Sequence, residues 1–260
     1  MELHHSLFGE APAGVAPLVI LHGLFGSGRN WAGIAEPMSA ERPVITLDLP
    51  NHGRSPWIAG MDYEGMAGAV AQFLADQGIE QAVLMGHSMG GKTAMTLALI
   101  RPQIVASLIV VDIAPVPYDH ANLDHIDAML NLPLDRITTR ADADAALADA
   151  IPDPGLRAFL LTNLARGSDG FEWRINLAGL SEALSALHGF PAAGEVAVYS
   201  GPTLFIDGET SDFILPEYEP VIRRMFPKAE MKVIADAGHW VHADDPGAVL
   251  TAVQEFLGET

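Results

Sequence analysis

A serine between two glycines carries the strongest chemical signal in the sequence. Gly86, Ser88 and Gly90 are separated by one residue each, an apolar strand-like run ends at Met85, and a helical run begins at Met89. A serine on a sharp strand-to-helix turn has a strained backbone and holds its hydroxyl in open space, where it can act as a nucleophile. The glycines are needed because neighbouring backbone comes very close to both positions. The following helix points its N-terminus at the same spot and so favours a developing anion.

Length and composition predict one large α/β domain, with room for an inserted subdomain. The chain has 260 residues, of which 49% are hydrophobic and none is cysteine, so disulfides and thiolate metal sites are excluded. The net charge of −19 argues against nucleic acid or an anionic membrane as a partner. There is no secretory signal pattern, and no apolar run reaches the ~20 residues of a membrane helix. We therefore expect a cytoplasmic protein, and the composition leaves its oligomeric state open.

Apolar runs that alternate with helical patterns predict a mostly parallel, doubly wound sheet. Buried strands are expected at 17–21, 43–47, 82–85, 107–111, 202–206 and 231–234, with a weaker edge strand at 3–8. Helices are expected at about 30–39, 63–77, 89–100, 217–226 and 246–257. Ligands bind beyond the carboxyl ends of the strands in such sheets. His22, Asp48, Ser88 and Asp112 all follow such ends.

The alternation breaks between about residues 116 and 198, where no convincing buried strand is found. Helices are expected there at about 121–131, 141–150, 155–165 and 176–188. Residues such as Pro152-Asp153-Pro154, which favour turns, separate them. We interpret this region as a helical insertion rather than as an independent domain.

Four short motifs together resemble the α/β-hydrolase superfamily over essentially the whole chain. They are His22-Gly23, the segment 48–55 (DLPNHGRS), the segment 86–91 (GHSMGG) and Gly238-His239. The residues of these motifs most resemble those of YbfF-type esterases and thioesterases and of ABHD11-like hydrolases. The resemblance implies an α/β-hydrolase core of residues 1–115 and 196–260, with a helical cap of residues 116–195 over the serine.

The resemblance also implies a Ser-His-Asp triad with Ser88 as nucleophile. A serine hydroxyl needs a base, and a histidine with a pKa near neutrality suits proton transfer. His239 follows the last strand, where the superfamily keeps its histidine, and His242 is the rival, otherwise read as a partly exposed surface residue. We expect His22 and His52 to hold loops through backbone hydrogen bonds.

The triad acid is less well determined by the sequence. Resemblance to the YbfF-type group favours Asp112, in the run Asp112-Ile113-Ala114-Pro115. Asp212 is the alternative, since it lies on the loop where many superfamily members carry the acid, and Asp207 is a third candidate. Asp48 is expected to be structural.

An oxyanion hole requires two backbone N–H groups about 3 Å from the developing charge. We assign them to Met89, directly after the nucleophile, and to Leu24, with Phe25 as the alternative. Phe25 and Trp240 are expected to bind substrate. We expect Lys92 on the surface or in an ion pair rather than in catalysis.

The reaction expected from these parts is acyl transfer to water, with a small-molecule acyl ester or acyl-CoA as substrate. Neither a metal nor an organic cofactor is required. The pairs His4-His5 and Asp119-His120 are the nearest approach to metal ligands, and nothing else in the sequence joins them.

Fold alone does not fix the chemistry, so three other functions stay open. A lyase or carbon–carbon hydrolase of the menaquinone-pathway type must bind a dicarboxylate, and Arg157, Arg166 and Arg174 facing Ser88 would favour it. Perhydrolase activity is a known side reaction of esterase sites. A non-catalytic binding protein could also retain the fold.

Overall fold

A seven-stranded sheet organises the computed structural model, which describes residues 1–10, 14–118, 122–168, 170–191 and 197–259. Its strands are β1 (His5–Phe8), β2 (Leu18–Leu21), β3 (Val44–Leu47), β4 (Ala82–His87), β5 (Val105–Val111), β8 (Thr203–Gly208) and β9 (Ala229–Ile234). The sheet order is β1-β3-β2-β4-β5-β8-β9, with β1 antiparallel at one edge and all other pairs parallel. This confirms the predicted α/β fold, including the weak edge strand.

Helices cover both faces of the sheet, which is why the central strands are apolar throughout. They are α1 (Ala32–Met38), α2 (Tyr63–Asp76), α3 (Met89–Ile100), α8 (Glu219–Met225), α9 (Val241–Asp244) and α10 (Pro246–Glu259). One core cluster contains α2 and α3, and the other contains α1 and α10. Asp62 caps α2 through the backbone N–H of Gly65 at 2.7 Å. No described helix is both long enough and apolar enough to cross a bilayer.

The region between β5 and β8 contributes no described strand to the central sheet. It contains α4 (Asn122–Leu130), α5 (Arg140–Leu147), α6 (Pro154–Leu160), the hairpin strands β6 (Leu164–Arg166) and β7 (Phe171–Trp173), and α7 (Leu177–His188). We refer to it as the insertion. The predicted boundary between residues 195 and 196 lies outside the described residues.

The hairpin corrects the prediction of a purely helical insertion. The helix expected at 155–165 ends at Leu160, and residues 164–166 pair with residues 171–173. Strands of three residues are too short to show an alternating pattern in the sequence. Pairing with β7 and burial of Leu164 therefore outweigh the local helical signal.

Candidate active site

Ser88 occupies the joint between β4 and α3, in the strained turn that the glycine spacing predicts. Its φ of 52° and ψ of −118° are unfavourable for a residue with a side chain. A Cβ at Gly86 would collide with the carbonyl of Gly90, and one at Gly90 would collide with the carbonyl of Leu21. Among the described residues no partner hydrogen bonds the Ser88 hydroxyl, so it is available to a substrate.

His239 and Asp112 meet at the same end of the sheet. His239 Nδ1 lies 2.7 Å from Asp112 Oδ2, and Asp112 is completely buried. Asp112 Oδ1 accepts from the Gly208 N–H at 2.9 Å, and its Oδ2 also accepts from the Ser211 hydroxyl at 2.5 Å. These donors orient the carboxylate and stabilise its negative charge. His239 and Ser88 line the same cavity.

The other two candidate acids have different surroundings. Asp212 is exposed, and none of its described contacts is with His239. Asp207 is hydrogen bonded to Asp112, and its pKa is raised to about 8, first by burial and then by this neighbour. Asp207 therefore favours its neutral form at neutral pH, and none of its described contacts is with His239.

Two histidines near His239 have roles in packing and positioning. His87 Nε2 donates to the carbonyl oxygen of His239 at 2.8 Å, and burial lowers the pKa of His87 well below its usual value. His242 stacks on Trp31, with ring centroids 4.1 Å apart, and burial lowers its pKa to about 4. His242 is half-buried, in line with the expected partly exposed residue, and one face of its ring is covered by Trp31.

The loop after β2 supplies a free backbone N–H close to the serine. Phe25, with φ of 63°, donates its N–H to His52 Nε2 at 3.3 Å. Among the described residues no acceptor is found for the N–H groups of Leu24 and Met89, the latter being the first residue of α3. The first N–H groups of a helix have no partner within the helix. The geometry thus favours Leu24 over Phe25 as the second oxyanion donor.

Buried side chains hold this loop and its neighbour, as expected from the sequence. His22 donates from Nδ1 to the Gly23 carbonyl at 2.8 Å and accepts the Leu49 N–H at Nε2 at 2.9 Å. Burial lowers its pKa to about 4. Asp48 accepts the backbone N–H groups of Gly28 and Arg54 at 2.8 and 2.9 Å. These hydrogen bonds fix the loops and occupy both ring nitrogens of His22.

Two cavities open on Ser88. The large cavity, of about 320 Å³, has a mostly apolar wall formed by Leu24, Phe25, His87, Ser88, His125, Leu156, Phe159, Phe213, His239 and Trp240. The small cavity, of about 40 Å³, is lined by Leu24, Tyr63, Ser88, Met89, Lys92, Ile113, Tyr118, Leu187, His188 and Phe213. The insertion contributes to both walls. Phe25 and Trp240, the predicted substrate-binding residues, lie in the large cavity.

A family model for the alpha/beta hydrolase fold matches residues 16–246. The chain belongs to the α/β-hydrolase family. It is 41% identical over 258 residues to the Mus musculus sn-1-specific diacylglycerol lipase ABHD11, covering 95% of this chain and 83% of that protein. It is 35% identical to the Escherichia coli (strain K12) esterase YbfF, covering 94% of each. The solved structure of a marine microorganism esterase superposes with a TM-score of 0.94 at 36% identity, covering 98% of this chain and 99% of that one.

These relatives confirm the resemblance that the four motifs predicted. Identity of 35% to 42% over most of the chain, to proteins named as lipases and esterases, shows that this α/β-hydrolase is an enzyme. Solved structures with identities near 20%, such as a thioesterase domain with a TM-score of 0.71, support the fold alone.

Lys92 is not where the sequence analysis placed it. Its side chain is 2% exposed, and its Nζ donates to the carbonyls of His188 and Gly189 at 3.1 and 2.5 Å. Neither a surface position nor an ion pair with a described residue is found. The error arises because α3 is buried along nearly its whole length and the C-terminal end of α7 covers Lys92, a tertiary contact that helical periodicity does not predict.

The sequence analysis missed two residues that contact the candidate acid and base. Ser211 bonds Asp112, as described above, and Phe213 stacks on His239 with ring centroids 3.7 Å apart. Both lie on the loop after β8, next to Asp212. The available signal was the position of this loop beyond the carboxyl end of a strand. Only the aspartates of the loop were considered as site residues, and Ser211 and Phe213 were not.

Three described arginines of the insertion lie away from both cavities. Arg157 pairs with Asp144 at 2.8 Å, Arg166 donates to the Thr138 carbonyl at 3.1 Å, and Arg174 lines a separate cleft. Among the described residues, no group of three or more potential metal ligands is found. The pair Asp119-His120 lies outside the described residues.

Proposed function

We propose that this α/β-hydrolase cleaves carboxylic esters through an acyl-enzyme on Ser88. The observation that carries the proposal is the 2.7 Å contact between His239 and Asp112 beside a cavity that also contains Ser88. The names of its relatives, a diacylglycerol lipase and esterases, support an ester as the substrate class. The apolar wall of the large cavity suits the hydrocarbon part of such a substrate.

In the proposed mechanism, Ser88 attacks the carbonyl carbon while His239 Nε2 takes the hydroxyl proton. Asp112 accepts a hydrogen bond from the Nδ1–H group of His239 and stabilises the imidazolium that forms. The N–H groups of Leu24 and Met89 bind the oxyanion. His239 then protonates the leaving oxygen, activates a water molecule, and the water releases the acid from Ser88.

The same steps would cleave an acyl thioester, because only the leaving atom changes. A lyase or carbon–carbon hydrolase acting on a dicarboxylate is less well supported. Arg157, Arg166 and Arg174, the cations that would favour it, line neither cavity at Ser88. The core of residues 1–115 and 196–260 and the cap of residues 116–195 remain our proposal for the domain division.

The test is a matched substrate panel measured with the wild type, Ser88→Ala and Ser185→Ala. Ser185 is exposed on α7 and serves as a control for serine removal. The panel holds p-nitrophenyl esters from acetate to palmitate, the same acyl groups on CoA, and a diacylglycerol. We expect Ser88→Ala to lower kcat/KM by on the order of 10³-fold or more, and Ser185→Ala to match the wild type.

A diffraction or circular dichroism comparison must show that Ser88→Ala is folded. Turnover by that variant equal to wild type would refute the proposed nucleophile. Absence of turnover by the wild type on every member would favour a specialised lyase or a binding protein. The ratio of ester to CoA turnover separates the two leaving groups.

A further inference from the structure

Lys92 carries a buried amine that the proposed mechanism does not use. It lies on α3 one helical turn after Ser88, and its side chain is 2% exposed. No carboxylate of the described residues pairs with it. Burial of an unpaired ammonium group costs free energy, so a buried Lys92 requires interactions that offset this cost.

Part of that compensation comes from the insertion. The carbonyls of His188 and Gly189, at the C-terminal end of α7, accept two of the three N–H groups. Helix C-termini favour cations for this reason. The rings of Tyr118 and Tyr63 lie 4.8 and 5.5 Å from Nζ, but the third N–H has no hydrogen-bond acceptor among the described residues.

The small cavity provides a place for that acceptor. Leu24, Ser88 and Met89 line it on one side, and Lys92 and His188 also form part of its wall. The Nε2 atom of His188 is buried and has no hydrogen-bond partner among the described residues. A cavity whose wall includes an amine with one unsatisfied N–H is suited to a group that carries an oxygen atom.

The position of His239 indicates which part of an ester enters this cavity. A general acid must lie beside the leaving oxygen that it protonates. His239 lines the large cavity but not the small one, so the leaving group belongs in the large cavity. The acyl substituent, on the other side of the carbonyl, is then directed into the small one.

The size of the small cavity limits the acyl group. One water molecule requires ~10–15 Å³ of such volume, so about 40 Å³ holds a few non-hydrogen atoms. Hence the acyl group is short and ends close to Lys92.

We propose that the small cavity is an acyl subsite in which Lys92 binds the carboxylate of a short dicarboxylate half-ester. This inference rests on the proposed ester hydrolysis and names its substrate class. Burial lowers the pKa of Lys92 to about 7, and a carboxylate beside the amine would favour its charged form again. The carboxylate in turn accepts a hydrogen bond from the third N–H of Lys92.

The test compares acids with neutral isosteres of the same shape. Monobenzyl malonate is paired with benzyl 3-methylbutanoate, and monobenzyl succinate with benzyl 4-methylpentanoate, with benzyl alcohol release as the readout. Two chain lengths are used to find the distance to Lys92. We expect the wild type to prefer at least one acid over its isostere by about tenfold or more in kcat/KM, with Ser88→Ala as the background.

Two variants then assign the preference to the cavity. Lys92→Met keeps the length of the side chain and removes the charge, and His188→Phe removes the imidazole next to it in the wall of the cavity. We expect Lys92→Met to lower the acid-to-isostere ratio by about 100-fold and His188→Phe by a smaller factor. Malonate and succinate should inhibit hydrolysis of the isosteres by the wild type, a measurement that does not depend on any variant folding.

A wild-type acid-to-isostere ratio of one or less, with no inhibition by the free diacids, overturns the inference. So does an equal loss on acid and isostere in Lys92→Met, which would leave Lys92 only as an anchor of α7. In both cases Ser88-dependent cleavage of the isosteres would still support ester hydrolysis. Failure to cleave any ester would instead refute the proposed function.

Discussion

At the scale of single residues, strain and hydrogen bonding concentrate where the chemistry is proposed. Phe25, Ser88 and Asp112 all have positive φ values, between 52° and 63°. Such conformations persist only when the surrounding contacts determine them. For Asp112, these contacts include its hydrogen bonds with His239 and Ser211.

Replacement of the candidate acids should distinguish them. Asp112→Asn leaves the shape of the side chain but favours the wrong tautomer of His239, so we expect kcat to fall by on the order of 10⁴-fold, as in other triads. Asp212→Asn, on the exposed loop, should stay within about twofold of wild type. Steady-state kinetics on one p-nitrophenyl ester measures both. A large loss in Asp212→Asn and a small one in Asp112→Asn would instead identify Asp212 as the triad acid.

At the scale of elements, the site depends on how closely α3 and the loop after β2 approach. Gly90 packs against the carbonyl oxygens of Leu21 and His22, so a side chain at this position has no room. The insertion holds the same loop from the other side, because Asn163 Nδ2 donates to the Phe25 carbonyl at 2.8 Å. Core and insertion together therefore position the loop that carries the proposed oxyanion donor Leu24.

Two glycine-to-alanine substitutions in helices should have opposite effects. Gly90→Ala forces α3 away from β2, and we expect it to lower the free energy of unfolding by roughly 1–3 kcal/mol or more. Gly68→Ala, on α2 with no atom within 4 Å of the added methyl, should raise it by about 0.5–1 kcal/mol through helix propensity. Urea unfolding of both variants checks the pair. Equal stability of the two would contradict the close approach at Gly90.

At the scale of the whole molecule, the fold buries several histidines in their neutral form. Burial lowers the pKa values of His22, His52 and His242 to about 4, 3 and 4, and that of His87 well below its usual value. Each ring binds a proton less readily when folded than when unfolded. Below the unfolded value of 6.5 the unfolded chain therefore takes up more protons, and stability is lost as the pH falls toward the folded values.

We expect the free energy of unfolding to decline below pH 6.5 by up to roughly 1.4 kcal/mol per pH unit for each buried histidine. His242→Phe keeps the stacking on Trp31 but cannot take up a proton. Between pH 6.5 and pH 4 its free energy of unfolding should therefore fall less steeply than that of the wild type, by up to roughly 1.4 kcal/mol per pH unit. Urea titrations at half-unit intervals provide the curves. Parallel curves for the variant and wild type would show that His242 does not contribute.

The sequence by itself determined the features that depend on local geometry. The glycines around Ser88 fix a strained turn, and continuous apolar runs fix a buried parallel sheet, so fold, family and candidate nucleophile could all be inferred. Only the tertiary structure decided which aspartate meets His239, because Asp112 lies 127 residues from it along the chain. It also decided which N–H stays free, since His52 engages that of Phe25, and it buried Lys92 beneath α7. Contacts between distant segments set these outcomes, and periodicity along one segment carries no information about them.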